Sequence, residues 1–93
     1  GQRLARNLAH PTILEQIALD ENTNLVELAT PEQFIGKTLE DLDLRRRYGI
    51  SVVAVRRAGQ VVPNLSTAER LDRGDRILVV GPPASVRRVA SLA

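Results

Sequence analysis

The segment Leu39-Glu40-Asp41-Leu42-Asp43-Leu44-Arg45-Arg46-Arg47-Tyr48-Gly49-Ile50-Ser51-Val52-Val53-Ala54-Val55 passes from helical to extended patterning across a single glycine. Thr38 with Asp41 three positions later forms a capping-box variant, which starts a short helix whose apolar positions are Leu39 and Leu42. Asp43 is placed to cap a second turn through Leu44 to Tyr48, and Gly49 supplies a left-handed stop. The run Ile50 to Val55 is the strongest strand signal in the chain. Its two faces are both apolar or small, so it is expected to be covered on both sides, as a central strand or at a dimer interface.

Downstream, Arg57-Ala58-Gly59-Gln60 reads as a tight turn, from which Gln60 to Val62 returns antiparallel until Pro63 ends pairing. Leu71-Asp72-Arg73-Gly74-Asp75 is a turn feeding the strand Arg76 to Gly81. Pro82-Pro83 breaks that strand, and a last helix from about Ala84 puts Val86, Val89 and Ala90 on one face and Arg87, Arg88 on the other. Upstream, Asn24 to Ala29 reads as a short strand stopped by Thr30-Pro31, and Asp20 to Asn24 as a polar turn. Residues 1–20 read as two amphipathic helices: Leu4, Ala5, Leu8 and Ala9 form one, and Ile13, Leu14, Ile17 and Ala18 the other. Pro11 bends the joint, with Thr12 and Glu15 as the second helix's capping box. The expected fold class is α+β, a small four-stranded, mainly antiparallel sheet with short helices.

Ninety-three residues make one small domain, because chains divide into several only above roughly 250 residues. With 43% hydrophobic and 26% charged residues the chain is globular, and no apolar run approaches the roughly 18 residues a membrane helix needs. There are no cysteines, which excludes disulfides, thiolate nucleophiles and cysteine-ligated metals. His10 is the sole histidine, in a polar setting beside Pro11, and no nucleophile has a base near it. Only Phe34 and Tyr48 are aromatic, so little is available to build a substrate pocket and an enzyme is not expected. The 13 basic residues, all arginine except Lys37, against 11 acidic ones give a net charge of +2, too weak to imply nucleic-acid or membrane-surface binding unless the arginines cluster on one face. The chain opens Gly1-Gln2-Arg3 and contains no methionine, which points to a domain cut from a longer protein.

Four pieces in order carry a resemblance: Leu25-Val26-Glu27-Leu28; Gly36-Lys37-Thr38-Leu39 with Leu42-Asp43-Leu44-Arg45 and Tyr48-Gly49; Val52-Val53-Ala54-Val55-Arg56-Arg57; and Leu71-Asp72-Arg73-Gly74-Asp75 before Ile77-Leu78-Val79-Val80-Gly81. Together they resemble the TrkA-C (RCK_C) domain, the C-terminal ligand-binding lobe of regulators of potassium conductance. The resemblance implies that residues 24–93 are this lobe and that residues 1–23 are connector helices from a missing upstream Rossmann (RCK_N) lobe. It further implies a homodimer that gates a membrane potassium channel or transporter subunit, lying in the cytoplasm against the inner face of the membrane. No G-x-G-x-x-G occurs in the chain, and no cofactor is expected within it. In several members of the family the regulatory ligand is cyclic di-AMP, bound in the cleft between two lobes. By that resemblance Arg45 contacts the anion, Ser51 lies beside it, and Leu39, Leu42, Ile50, Val52, Pro63 and Asn64 complete the wall, with core packing the competing role for the leucines. Ser51 stands where these members carry an asparagine, and its single hydroxyl cannot give the two-point amide contact to an adenine edge.

Arg45, Arg46 and Arg47 are the one local basic cluster, open to reading as solvated, dipole-compatible arginines or as phosphate contacts. Glu40, Asp41 and Asp43 could suggest a divalent cation, but they do not share one helical face and capping accounts for two of them, so no metal site is expected. Gly81-Pro82-Pro83 lies between strand and helix as a phosphate loop would, yet prolines lack the N–H groups to cradle a phosphate. Two other readings stand beside ligand-controlled gating: a purely structural dimerisation lobe of a cation transporter or antiporter, and a nucleic-acid-binding module built on Arg45 to Arg47 with Arg56 and Arg57. The acidic residues just upstream of the cluster, and the lack of stacking aromatics, argue against the latter.

Overall fold

The computed structural model describes residues 12–63 and 65–92. Among them, strands β1 (Ile13–Asp20), β2 (Thr23–Ala29), β3 (Ser51–Arg57), β4 (Gln60–Pro63) and β5 (Arg76–Gly81) form one sheet in the order β1-β2-β5-β3-β4, with every adjacent pair antiparallel. Helices α1 (Leu39–Leu42), α2 (Leu44–Tyr48) and α3 (Pro83–Ala90) and a 3₁₀ turn (Glu32–Phe34) complete the domain. No helix of the described residues is long and apolar enough to cross a membrane.

The expected α+β class holds, with five strands rather than four. The additional strand is β1, where the helical spacing of Ile13, Leu14, Ile17 and Ala18 predicts a helix. A helix needs a partner for its apolar stripe, whereas Leu14, Ile17 and Leu19 stay exposed and β2 offers a free edge for backbone pairing. Asp20 closes the intervening turn by accepting a 2.8 Å hydrogen bond from the Asn22 N–H, a side-chain turn signal. Thr12 does not cap a helix; its hydroxyl donates to the Ala90 carbonyl at 3.0 Å and ties the start of β1 to the end of α3. The first helix expected, around Leu4 to Ala9, lies outside the described residues.

The remaining elements follow their sequence signals. Thr38 Oγ1 accepts from the Asp41 N–H at 3.1 Å, and Gly49 ends α2 at φ 78°. Asp43 departs from its expected capping role: it sits between α1 and α2 at φ 47°, and its carboxylate ion-pairs with Arg46 at 2.8 Å instead. Register places Val26, Leu28, Val55, Ile77 and Val79 on one face of the sheet, where they pack with Val86 and Val89 of α3 and with Phe34, Leu42, Leu44, Ile50 and Leu71. Gly81 is required in this layer, since a Cβ there would stand 2.8 Å from Ile50 Cγ2.

β3 is interior to the sheet, between β4 and β5. A bulge between Val52 and Ala54 leaves Val53 unpaired and exposed. The opposite sheet face carries Leu25, Leu78 and Val80, with Glu27 at its centre accepting from Arg56 Nε at 3.0 Å and 3.7 Å from Arg76. The two faces thus divide the work, helices covering one and an ion-paired, partly apolar surface forming the other.

Candidate functional site

The connection between β4 and β5 returns along the first turn of α1. The Leu39 N–H donates to Glu69 O at 3.1 Å and the Glu40 N–H to Thr67 O at 2.9 Å, while Thr38 takes the Asp41 N–H. The free amides that open a helix are therefore consumed by the chain itself, and no anion-binding amides remain at α1. The same loop is fixed from behind by Arg57. Its Nε and Nη2 donate to Asp75 at 3.0 and 2.7 Å, Nη1 to Glu69 at 3.0 Å, and Nη2 also to the Arg70 carbonyl at 3.0 Å. Asp75 is buried, receives the Asp72 N–H as well, and is held below the ordinary carboxyl range, first by the Arg57 hydrogen bonds and against the opposing effect of burial.

Between that fixed loop and α1, α2 and β3 lies a cleft of about 380 Å³. Leu39, Leu44, Ile50, Val52 and Leu65 give it an apolar floor, and Glu40, Asp43, Arg45, Ser51, Ser66 and Thr67 line it with polar groups. Of the residues expected from sequence, Arg45, Ser51, Leu39, Ile50 and Val52 meet here. Leu42 is buried in the core and does not line the cleft, Pro63 is exposed at the end of β4 away from it, and Asn64 lies outside the described residues. Leu65, Ser66 and Thr67 were not predicted, because they reach the cleft through a loop whose path depends on the Arg57 cluster and on backbone pairing to α1.

Charge in the cleft is asymmetric. Asp43 is engaged by Arg46, whereas Arg45 has no ion pair or side-chain hydrogen bond with a described residue. A guanidinium beside an apolar floor and three hydroxyls suits a ligand with an anionic group and a flat or apolar body. Glu40 adds an acceptor that repels phosphate and favours an amino or amide edge. Glu40, Asp41 and Asp43 do not converge, since Asp41 faces away from the cleft, and no cluster that could hold a metal occurs among the described residues. Arg56 and Arg57 are committed to Glu27 and to Asp75 with Glu69, and Arg45 and Arg47 lie about 200° apart around α2. The five arginines therefore do not form one basic stripe.

With this fold and cleft in view, the class of protein is a small α+β domain with an antiparallel sheet and short helices. The TrkA-C domain family model matches residues 25–93, and the chain belongs to that family. It is 32% identical over 88 residues to the Ktr system potassium uptake protein C of Bacillus subtilis (strain 168), covering 95% of this chain and 40% of that protein. It is 34% identical over 84 residues to the Ktr system potassium uptake protein A of Vibrio alginolyticus, covering 88% and 37%. The chain thus spans about two fifths of the length of these relatives. Among solved structures, the RCK C domain of the potassium transport protein KtrA in complex with cyclic diadenosine monophosphate superposes with a TM-score of 0.70 at 23% identity, over 99% of this chain and 96% of that one. The RCK_C domain dimer of S. agalactiae BusR in complex with the same nucleotide gives 0.66 at 21% identity, over 73% and 92%.

Proposed function

We infer that this domain is the ligand-sensing lobe of a regulatory subunit in a potassium transport system, working as a homodimer. The observation that carries the reading is the uncommitted Arg45 over the floor of Leu39, Ile50, Val52 and Leu65. The two relatives are named as Ktr system potassium uptake proteins and two structural neighbours were solved with cyclic di-AMP, which supports a phosphate-bearing ligand here. In this account Arg45 holds the phosphate and Ser51 gives one hydrogen bond to the base, with a second lobe closing over the ligand. Glu40 accepts from an exocyclic amine.

Binding that favours one geometry of the paired lobes transmits to the rest of the molecule by its differential affinity for the two arrangements. The segment before β1 joins the lobe to an upstream Rossmann domain, and the assembly acts on a membrane channel or transporter subunit from the cytoplasmic side. β1 adds an edge strand to the sensor itself, so the connector expected over residues 1–23 is shortened by this strand.

Isothermal calorimetry with cyclic di-AMP tests the ligand. Saturable heat with the wild type, lost in Arg45→Ala, supports it; no heat with the wild type removes cyclic di-AMP. A lobe that dimerises yet binds nothing would favour the structural reading, to which the exposed Val53 and Val61 on the sheet and its edge lend support.

A further inference from the structure

The basic residues of the domain divide into those with a side-chain partner and those without. Arg46, Arg56, Arg57, Arg73 and Arg76 are in ion pairs, Arg70 donates to the Gly36 carbonyl, and Arg88 donates to the Arg47 carbonyl at 3.4 Å. Lys37, Arg45, Arg47 and Arg87 have no such side-chain partner among the described residues. Arg45 lines the cleft already described. Lys37 and Arg47 together line a second concavity of about 320 Å³, which shares no residue with the first.

This second concavity lies on the other side of α1 and α2. Buried Phe34 and Leu42 contribute to its lining, and Gln33, Lys37, Asp41, Arg47 and Tyr48 supply its polar groups. One wall is braced from outside: the Arg88 guanidinium sits 5.3 Å from the centre of the Tyr48 ring, and its hydrogen bond to the Arg47 carbonyl ties the last turn of α2 to α3. The ring is thereby positioned while the Arg47 side chain remains uncommitted. Two cations against one carboxylate favour an anion, and the volume falls near the lower end of the roughly 300–1,000 Å³ range of small-molecule sites.

We propose that this concavity is a second binding site, for a small phosphorylated ligand that also carries hydroxyl groups. Lys37 and Arg47 take the phosphate, one as a compact charge and the other as a planar donor fork. Asp41 accepts from a ligand hydroxyl, and the Gln33 amide and the Tyr48 phenol complete the polar lining. The proposal does not depend on what occupies the Arg45 cleft.

Tyr48 is the only tyrosine and the chain has no tryptophan, so its ultraviolet emission reports on this wall without a label. Ribose 5-phosphate, titrated at constant ionic strength, is expected to change that emission along a saturable curve. Lys37→Gln and Arg47→Gln are each expected to weaken the midpoint about tenfold, the loss of one charge-assisted contact, and Arg45→Ala to leave it unchanged. Both glutamine substitutions are at exposed side chains, and urea unfolding confirms that each variant is folded. A strictly linear response, matching that of free tyrosine amide, would overturn the proposal. So would a saturable response that survives both glutamine variants, or one abolished by Arg45→Ala.

Discussion

Arg57 is a half-buried arginine and Arg45 an exposed one, and the first is committed while the second is not. Arg57 donates to Asp75, Glu69 and the Arg70 carbonyl, and so locks the β4–β5 loop to the sheet. Arg45, by contrast, projects into a cleft whose shape that loop helps define, with no described partner. The first is a structural residue that sets where Leu65, Ser66 and Thr67 stand. The second has its hydrogen-bonding capacity unused among the described residues. Substitution at the two regions should therefore separate stability from binding.

Asp75→Ala gives the largest expected loss of stability. It leaves the Arg57 guanidinium without two of its four hydrogen bonds, the shortest among them, and removes a buried acceptor for the Asp72 N–H. Breaking a fully buried pair costs about 3–5 kcal/mol, and the partial exposure of Arg57 reduces this to about 2–3 kcal/mol, read as a lower urea midpoint. Gly81→Ala comes next at about 1–3 kcal/mol, because the new methyl overlaps Ile50 and one of the two must move. Thr38→Ala removes the cap of α1 and is expected to cost about 1 kcal/mol. Arg45→Ala is the smallest, within about 0.5 kcal/mol of the wild type.

The Arg57 region also predicts a pH dependence. Asp75 titrates lower in the folded chain than when unfolded, so its stabilisation is present above the unfolded carboxyl pKa of about 3.9 and is lost as pH falls through the lower folded value. Unfolding midpoints followed from pH 6 down to about pH 2 should fall less steeply in Asp75→Asn than in the wild type. A parallel fall in the two proteins would show that the Arg57–Asp75 contact does not set the acid limb.

The same contrast explains how far the sequence could be read. The α1–α2 pair, its Gly49 stop, and strands β2 to β5 were legible because each rests on local signals: a cap, a left-handed glycine, an apolar run between turn residues. Arg45, Ser51 and three of the floor residues, Leu39, Ile50 and Val52, were legible through the ordered motif that carries the family resemblance, whereas Leu44 and Leu65 were not. β1 was not, since Ile13, Leu14, Ile17 and Ala18 fit helical spacing equally well, and only the free edge of β2 decides the outcome. The loop wall of the cleft was not legible either. Gly74-Asp75 reads as an ordinary turn, and nothing local marks Asp75 as the partner of an arginine 18 residues earlier. The second concavity escaped for a related reason, because Arg45 to Arg47 read as one basic cluster until the helix sends Arg45 and Arg47 to opposite sides.

That division of three consecutive arginines gives the most direct test. Each is exposed and can be replaced by alanine without touching the core. Cyclic di-AMP binding measured by calorimetry on Arg45→Ala, Arg46→Ala and Arg47→Ala, at equal ionic strength, should be lost only in the first. Arg46→Ala and Arg47→Ala should bind within about twofold of the wild type, because Arg46 is paired with Asp43 and Arg47 faces the other concavity. Equal losses in all three variants, or undiminished binding in Arg45→Ala, would contradict the account.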